Sequence, residues 1–263
     1  MKQTIIHELN TKYLKTPTRK VRVWLPEDYE TKPDQRYPVL YMHDGQNVMD
    51  PSPMSGYSWN AKVILDDMVK QSITKPMILV GIDHGDDWRV SEYTLSAGPK
   101  GLKGMRHFHQ DSIPMGGEYA RFLFEIVKPL IDQTYRTLPG RESTAIAGSS
   151  CGGNISLQIY LKFPDIFSRV GIFSPALWLI QETLKQDIHS HSHQEARLYL
   201  DMGGKESKWF NFLNIRGVQK LHKALEYIGY TKQELKLVID PKATHTELFW
   251  QSRFPEFIQW IRF

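Results

Sequence analysis

The chain has 263 residues, 41% hydrophobic, 12% aromatic and 24% charged, a composition that excludes disorder and suffices for a single α/β domain over 1–263. Its 33 basic and 29 acidic residues leave a formal charge of +4 without any like-charge block, which argues against a nucleic-acid partner. One cysteine, Cys151, excludes an internal disulfide, and neither a signal-peptide core nor an apolar run of about 18 residues occurs, so no membrane partner and a cytoplasmic setting are expected.

In chain order, strand-like runs at 3–8, 21–25 and 39–43 come without helices between them, and the first two or three read as an antiparallel edge. A helical period at 61–71 and a strand at 77–83 follow, then a helix at 118–135, a strand at 144–147, a helix at 155–163 and strands at 170–174 and 198–201. A helix at 218–228, a strand at 235–239 and a helix at 255–261 complete the chain. Strands that alternate with helices imply crossover connections, hence a mostly parallel eight-stranded sheet with helices on both faces. Two polar-aromatic stretches, 50–60 and 88–117, read as long loops at the rim of a site.

The strand at 144–147 runs into Gly148-Ser149-Ser150-Cys151-Gly152-Gly153 and then a helix. Gly-x-Ser-x-Gly in that context puts a serine on a sharp strand-to-helix turn, with small residues two before and two after it where backbone passes close by. Ser150 is thus the candidate nucleophile, and the Cys151 backbone N–H a candidate oxyanion donor. A slipped register would present Cys151 instead, but only the Ser150 register has both glycines in place. The strand at 39–43 ends in His43-Asp44-Gly45-Gln46. There Gly45 is expected to allow the turn, the Gln46 N–H to be the second oxyanion donor and His43 to brace the loop.

The order nucleophile, acid, base sends the histidine to the last strand's loop, where His245 is the only histidine after position 222. The preceding loop, Asp201-Met202-Gly203-Gly204-Lys205-Glu206, offers two carboxylates. Asp201 is still within the strand, whereas Glu206 lies past the glycines where the chain has turned, which favours Glu206 as the acid. Asp201 would then cap or brace the loop.

Taken together, Tyr41-Met42-His43-Asp44-Gly45-Gln46-Asn47, Gly148-Ser149-Ser150-Cys151-Gly152-Gly153, Phe173-Ser174-Pro175-Ala176-Leu177-Trp178, Leu200-Asp201-Met202-Gly203-Gly204-Lys205-Glu206 and Thr244-His245 resemble the putative esterase family of α/β-hydrolases. That group includes esterase D, feruloyl esterases and siderophore esterases. The resemblance spans residues 20 to 262 and implies the α/β-hydrolase fold and hydrolysis of a small-molecule carboxylic ester through an acyl-enzyme, with no metal or organic cofactor. It supports Glu206, although many members carry aspartate there.

Around this site, Trp178 and Trp250 are read as pocket walls or as packing. Trp59, Tyr93 and Arg89, with Tyr57 and Trp88, come from the two long stretches. Arg89 would pair with a substrate carboxylate or brace its loop through an acid such as Glu92. His189, His191 and His193 read as a solvated turn rather than a metal site, and Phe254, Phe257, Trp260 and Ile261 as core or as the contact of a homodimer. Two rivals stand beside the esterase: an acyltransferase or thioesterase with the same triad, and a silent hydrolase fold used as a binding module.

Overall fold

The computed structural model describes residues 4–53, 55–207 and 209–263. Gln3 of the first predicted strand and Met54 of the first long stretch lie outside them. Strands β1 (Ile5–Asn10) and β2 (Thr18–Trp24) form an antiparallel pair. The fully buried β3 (Val39–His43) runs into the short α1 (Gly45–Met49), followed by α2 (Ala61–Lys70) and β4 (Ile78–Ile82). Then come α3 (Arg89–Glu92), α4 (Pro99–Met105), α5 (Gly116–Phe122) and α6 (Lys128–Thr134), the last two joined by a π-helical stretch at Leu123–Val127. The second half alternates β5 (Thr144–Ser149), α7 (Cys151–Lys162), β6 (Arg169–Phe173), α8 (Gln181–Ser190), β7 (Arg197–Gly203), α9 (Asn211–Tyr227), β8 (Leu235–Asp240) and α10 (Glu247–Ile261).

All eight strands belong to one sheet in the order β1-β2-β4-β3-β5-β6-β7-β8. Only β2 joins β1 and β4 antiparallel; from β4 to β8 every neighbour is parallel. The antiparallel edge is therefore two strands, and β3 belongs to the parallel part. Its apolar run, Val39-Leu40-Tyr41-Met42, has no alternation because helices cover both faces. One face packs under α5, α6, α7 and α9 through residues such as Tyr119, Ile131, Ile155 and Leu221. The other packs under α2 and α10 through Leu65, Trp250, Phe254 and Phe257.

Three departures from the sequence reading have physical causes. The stretch 88–117 is not one continuous loop: between irregular segments it carries α3 and α4, and it buries Ser91, Glu92, Tyr93 and Met105. Helices of four and seven residues complete too few turns to show a period, although Gly98-Pro99 marks the start of one, with proline at its first position. The predicted helix at 255–261 begins eight residues earlier, with Pro255 inside it. Proline suits a first helical position, but the buried Trp250, Arg253 and Phe254 hold the helix upstream of it. Finally, the histidine tract is not a solvated turn. His189 lies on the unanticipated α8, and His191 is buried, its ring bonded to the Leu161 carbonyl and the Tyr230 hydroxyl, while His193 meets Glu234. Phe254, Phe257 and Ile261 are fully buried, which makes them core and not a face for a second copy.

Candidate active site

The C-terminal ends of β3, β5, β6, β7 and β8 gather the site, as expected for ligand sites of open parallel sheets. Ser150, between β5 and α7, adopts φ 58, ψ −122, a conformation that few non-glycine residues occupy. The main chain pins it there: its N–H donates to Phe173 O (2.9 Å), and its carbonyl accepts from Asn154 N (3.1 Å) and Ala176 N (3.4 Å). The two flanking glycines touch each other. A Cβ on Gly148 would lie 2.8 Å from the Gly152 carbonyl carbon, and one on Gly152 would lie 3.3 Å from Asp44 Oδ2. Cys151 begins α7 and is buried; burial pushes its thiol up from its ordinary value, against reactivity as a thiolate. Its backbone N–H is among the first-turn donors that a helix leaves without intrahelical acceptors.

The opposing wall is the turn from β3 into α1. Here the left-handed residue is Asp44 (φ 57, ψ 47), not Gly45. Gly45 is needed for a different reason: a Cβ there would sit 2.4 Å from the Gly81 carbonyl carbon of β4. Neither backbone can give way, so Gly45→Ala is expected to cost about 1–3 kcal/mol, measurable as a lowered urea midpoint. Gln46 stands on α1, its side-chain Oε1 accepting from the His84 N–H (3.2 Å).

Arg89 is tied to Asp44 and not to Glu92. Its Nε and Nη2 donate to the two Asp44 oxygens at 2.6 and 2.7 Å, and Nη2 also reaches Ser149 O at 3.5 Å. Glu92 is engaged by Arg19, and both are buried. Burial opposes the charge on Asp44, yet the Arg89 guanidinium outweighs it and holds the carboxyl below its usual range. Tyr93 is fully buried, its hydroxyl accepting the Asp44 N–H at 3.1 Å, so it braces this turn from below.

His43 braces the same turn through Nδ1 and the Tyr119 hydroxyl, 2.8 Å apart. Burial lowers its pKa from 6.5 to about 3. An unfolded chain takes up that proton below about 6.5, whereas the buried ring refuses it until about 3. Stability is therefore full above 6.5 and falls as the pH drops toward 3, by up to about 1.4 kcal/mol per pH unit from this residue. Urea titrations across that window should show His43→Gln with a flatter slope than the parent.

The third wall comes from β7, β8 and the start of α10. His245 Nδ1 lies 2.9 Å from Glu206 Oε2. The Glu206 side chain is only 3% exposed, against 37% for His245. Asp201 faces elsewhere: it is fully buried, takes Arg253 Nε at 2.7 Å and receives the Ser174 N–H at 2.9 Å. Burial lifts its carboxyl above the usual range despite Arg253.

Among the aromatic candidates, Trp59 and Trp250 are buried and stack on each other at 5.8 Å, which makes them core rather than pocket walls. Trp250 still meets the His245 ring edge-on at 5.0 Å. Trp178 keeps 45% exposure. Its ring lies close over Gly104 of α4, the nearest atom 2.4 Å from where a Cβ would stand. The sequence reading gave no site role to Ser174 and Arg253, and missed the Asp44 carboxylate and Glu247, which lies two residues past His245 and joins Asn47 and Ser55. A lone arginine in the aromatic run Leu248-Phe249-Trp250-Gln251-Ser252-Arg253-Phe254 and a lone aspartate in an apolar strand are the readable signal, since buried opposite charges must pair.

Residues 13–261 match the family described as Putative esterase. A relative, the uncharacterized protein YbbA of Bacillus subtilis (strain 168), is 25% identical over 252 residues, which cover 94% of each chain. Among solved structures, an IroE-like serine hydrolase from Shewanella oneidensis superposes with a TM-score of 0.79 at 19% identity, over 98% of this chain and 79% of that one. A ferulic acid esterase does so with a TM-score of 0.69 at 19% identity, over 98% and 97%. The fold is thus that of the α/β-hydrolases. With the family match covering nearly the whole chain, this protein belongs to the putative esterase family and is a carboxylic ester hydrolase.

Proposed function

We propose that Ser150 is the nucleophile of a Ser150-His245-Glu206 triad that hydrolyses a small-molecule ester through an acyl-enzyme. The observation that carries this reading is the 2.9 Å contact between His245 Nδ1 and a buried Glu206 carboxylate, on the side where Ser150 stands strained at the turn into α7. Nδ1 donates to Glu206, leaving Nε2 to take the Ser150 proton as the hydroxyl attacks the ester carbonyl. The Gln46 and Cys151 N–H groups hold the resulting oxyanion, and His245 returns the proton to the departing alcohol. Water then repeats the sequence on the acyl-enzyme.

Asp44 and Arg89 serve this chemistry by tying the Gln46 turn to the strand that carries Ser150. Because Asp44 already neutralises Arg89, that guanidinium braces the loop rather than greeting a substrate carboxylate. Trp178, exposed beside the turn from β6, is one aromatic surface that could receive an acyl or alcohol group, as is the exposed Tyr57. A panel of nitrophenyl esters from acetate to long chains, together with feruloyl and thioester substrates, tests the reading; turnover of none of them, with no adduct from a fluorophosphonate, would favour the binding module.

A further inference from the structure

The first residue after β6, Ser174, is fully buried, lies at φ 42 and is bonded to residues on both sides of His245. A non-glycine residue held at positive φ in a core is strained, and such strain persists only where the surroundings over-determine it. Here they do. The Trp250 Nε1–H donates to Ser174 Oγ at 2.9 Å, and Arg253 Nη2 does so at 3.3 Å. Indole and guanidinium are donors without acceptor capacity, so both lone pairs of the hydroxyl are taken and its own proton must point to an acceptor. Two carboxylate oxygens are in reach. Asp201 Oδ1, at 3.4 Å, already receives the Ser174 N–H and Arg253, while Glu206 Oε1 is much nearer.

The hydroxyl therefore donates to Glu206. With the Gly203 N–H at 2.7 Å on that same oxygen, Oε1 is held, and Oε2 is turned to His245. Trp250, anchored by the same hydroxyl, packs its ring against the imidazole at 5.0 Å. Asp201 and Arg253 complete the support, since Asp201 fixes the Ser174 N–H and Arg253 caps its oxygen.

We propose that Ser174 is a positioning residue for the hydrolysis, its hydroxyl setting the His245 imidazole from two sides at once, through Glu206 and through Trp250. The proposal rests on the triad reading above. It does not place Ser174 against substrate, so removing the hydroxyl should slow the chemical steps and leave ester binding nearly unchanged.

The test compares Ser174→Ala and Ser174→Gly with the parent on one nitrophenyl ester. Both substitutions remove the hydroxyl, but glycine also relieves the positive φ, so the two variants should differ in melting temperature and agree in activity. The expected result for both is a kcat lowered by about 10- to 100-fold, the loss of one hydrogen bond to a carboxylate, with KM within about twofold, and an altered low-field proton resonance of the bond between Glu206 and His245. Parental kcat in either folded variant, or a loss that appears in KM alone, overturns the proposal. Ser150→Ala, measured alongside, separates the two readings: if it keeps parental activity the triad itself is wrong, whereas an inactive Ser150→Ala beside a fully active Ser174→Gly removes only the role of Ser174.

Discussion

Ser150→Ala is expected to lower ester turnover by roughly 10⁴-fold or more while the melting temperature stays close to the parent's. The size follows from losing the covalent route altogether, since nothing beside position 150 replaces it. The nearest sulfur, on Cys151, is buried and its thiol is pushed toward the protonated form. The fold should survive because the strained turn is held by main-chain bonds from Phe173, Asn154 and Ala176 that a methyl side chain does not disturb. Steady-state kinetics and fluorophosphonate labelling check this together. Parental turnover in the alanine variant, or an adduct mapped to Cys151, would move the nucleophile.

The second large effect separates the two carboxylates at the end of β7, Asp201 within the strand and Glu206 past it. Glu206→Gln keeps the shape but can turn an amide N–H toward His245 Nδ1, which then loses the acceptor that fixes its tautomer; a fall of about 10³- to 10⁴-fold in kcat is expected at a near-parental melting temperature. Asp201→Ala should act mainly on stability. It strands the buried Arg253, whose remaining carboxylate contact is Asp240 at 3.8 Å, and the expected loss is about 3–5 kcal/mol of stability. In thermal melts and kinetics, Glu206→Gln should lose kcat at a near-parental melting temperature if Glu206 is the acid, whereas Asp201→Ala should lose melting temperature, with a fall in kcat no larger than that of Ser174→Ala, because Asp201 reaches the imidazole only through Ser174. An inactive but stable Asp201 variant beside an active Glu206→Gln would reverse the assignment.

Much of this was legible in the sequence because the relevant signals are local. Val39-Leu40-Tyr41-Met42 and Ala145-Ile146-Ala147 read as buried strands from their apolar runs alone. The glycines at 148 and 152 announce the sharp turn whose backbone crossing they permit. What escaped was set by distant partners. Nothing within reach of Arg89 along the chain reveals that its acid is 45 residues earlier, at Asp44, since Glu92 lies closer in sequence and is used by Arg19. The order β2-β4-β3-β5 is likewise invisible to a reading that takes strands one at a time. Trp59 proves to be core and Trp250 takes the packing alternative left open for it, since an aromatic side chain near a strand end fits a pocket wall and a core equally well until its stacking partner is known.

The strand order also has a mechanical corollary. Ser150 springs from the middle of the sheet, where β5 is flanked by β3 and β6 and every residue is buried, while the loop that carries His245 leaves β8, a border strand paired only to β7. Border strands open more readily than interior ones. The two halves of the proposed proton transfer are thus mounted on ground of unequal firmness, with the hydroxyl on the keel and the imidazole on the gunwale. On the proposed mechanism, warming is expected to part His245 from Ser150 before the core melts, so that ester turnover should fail below the melting temperature.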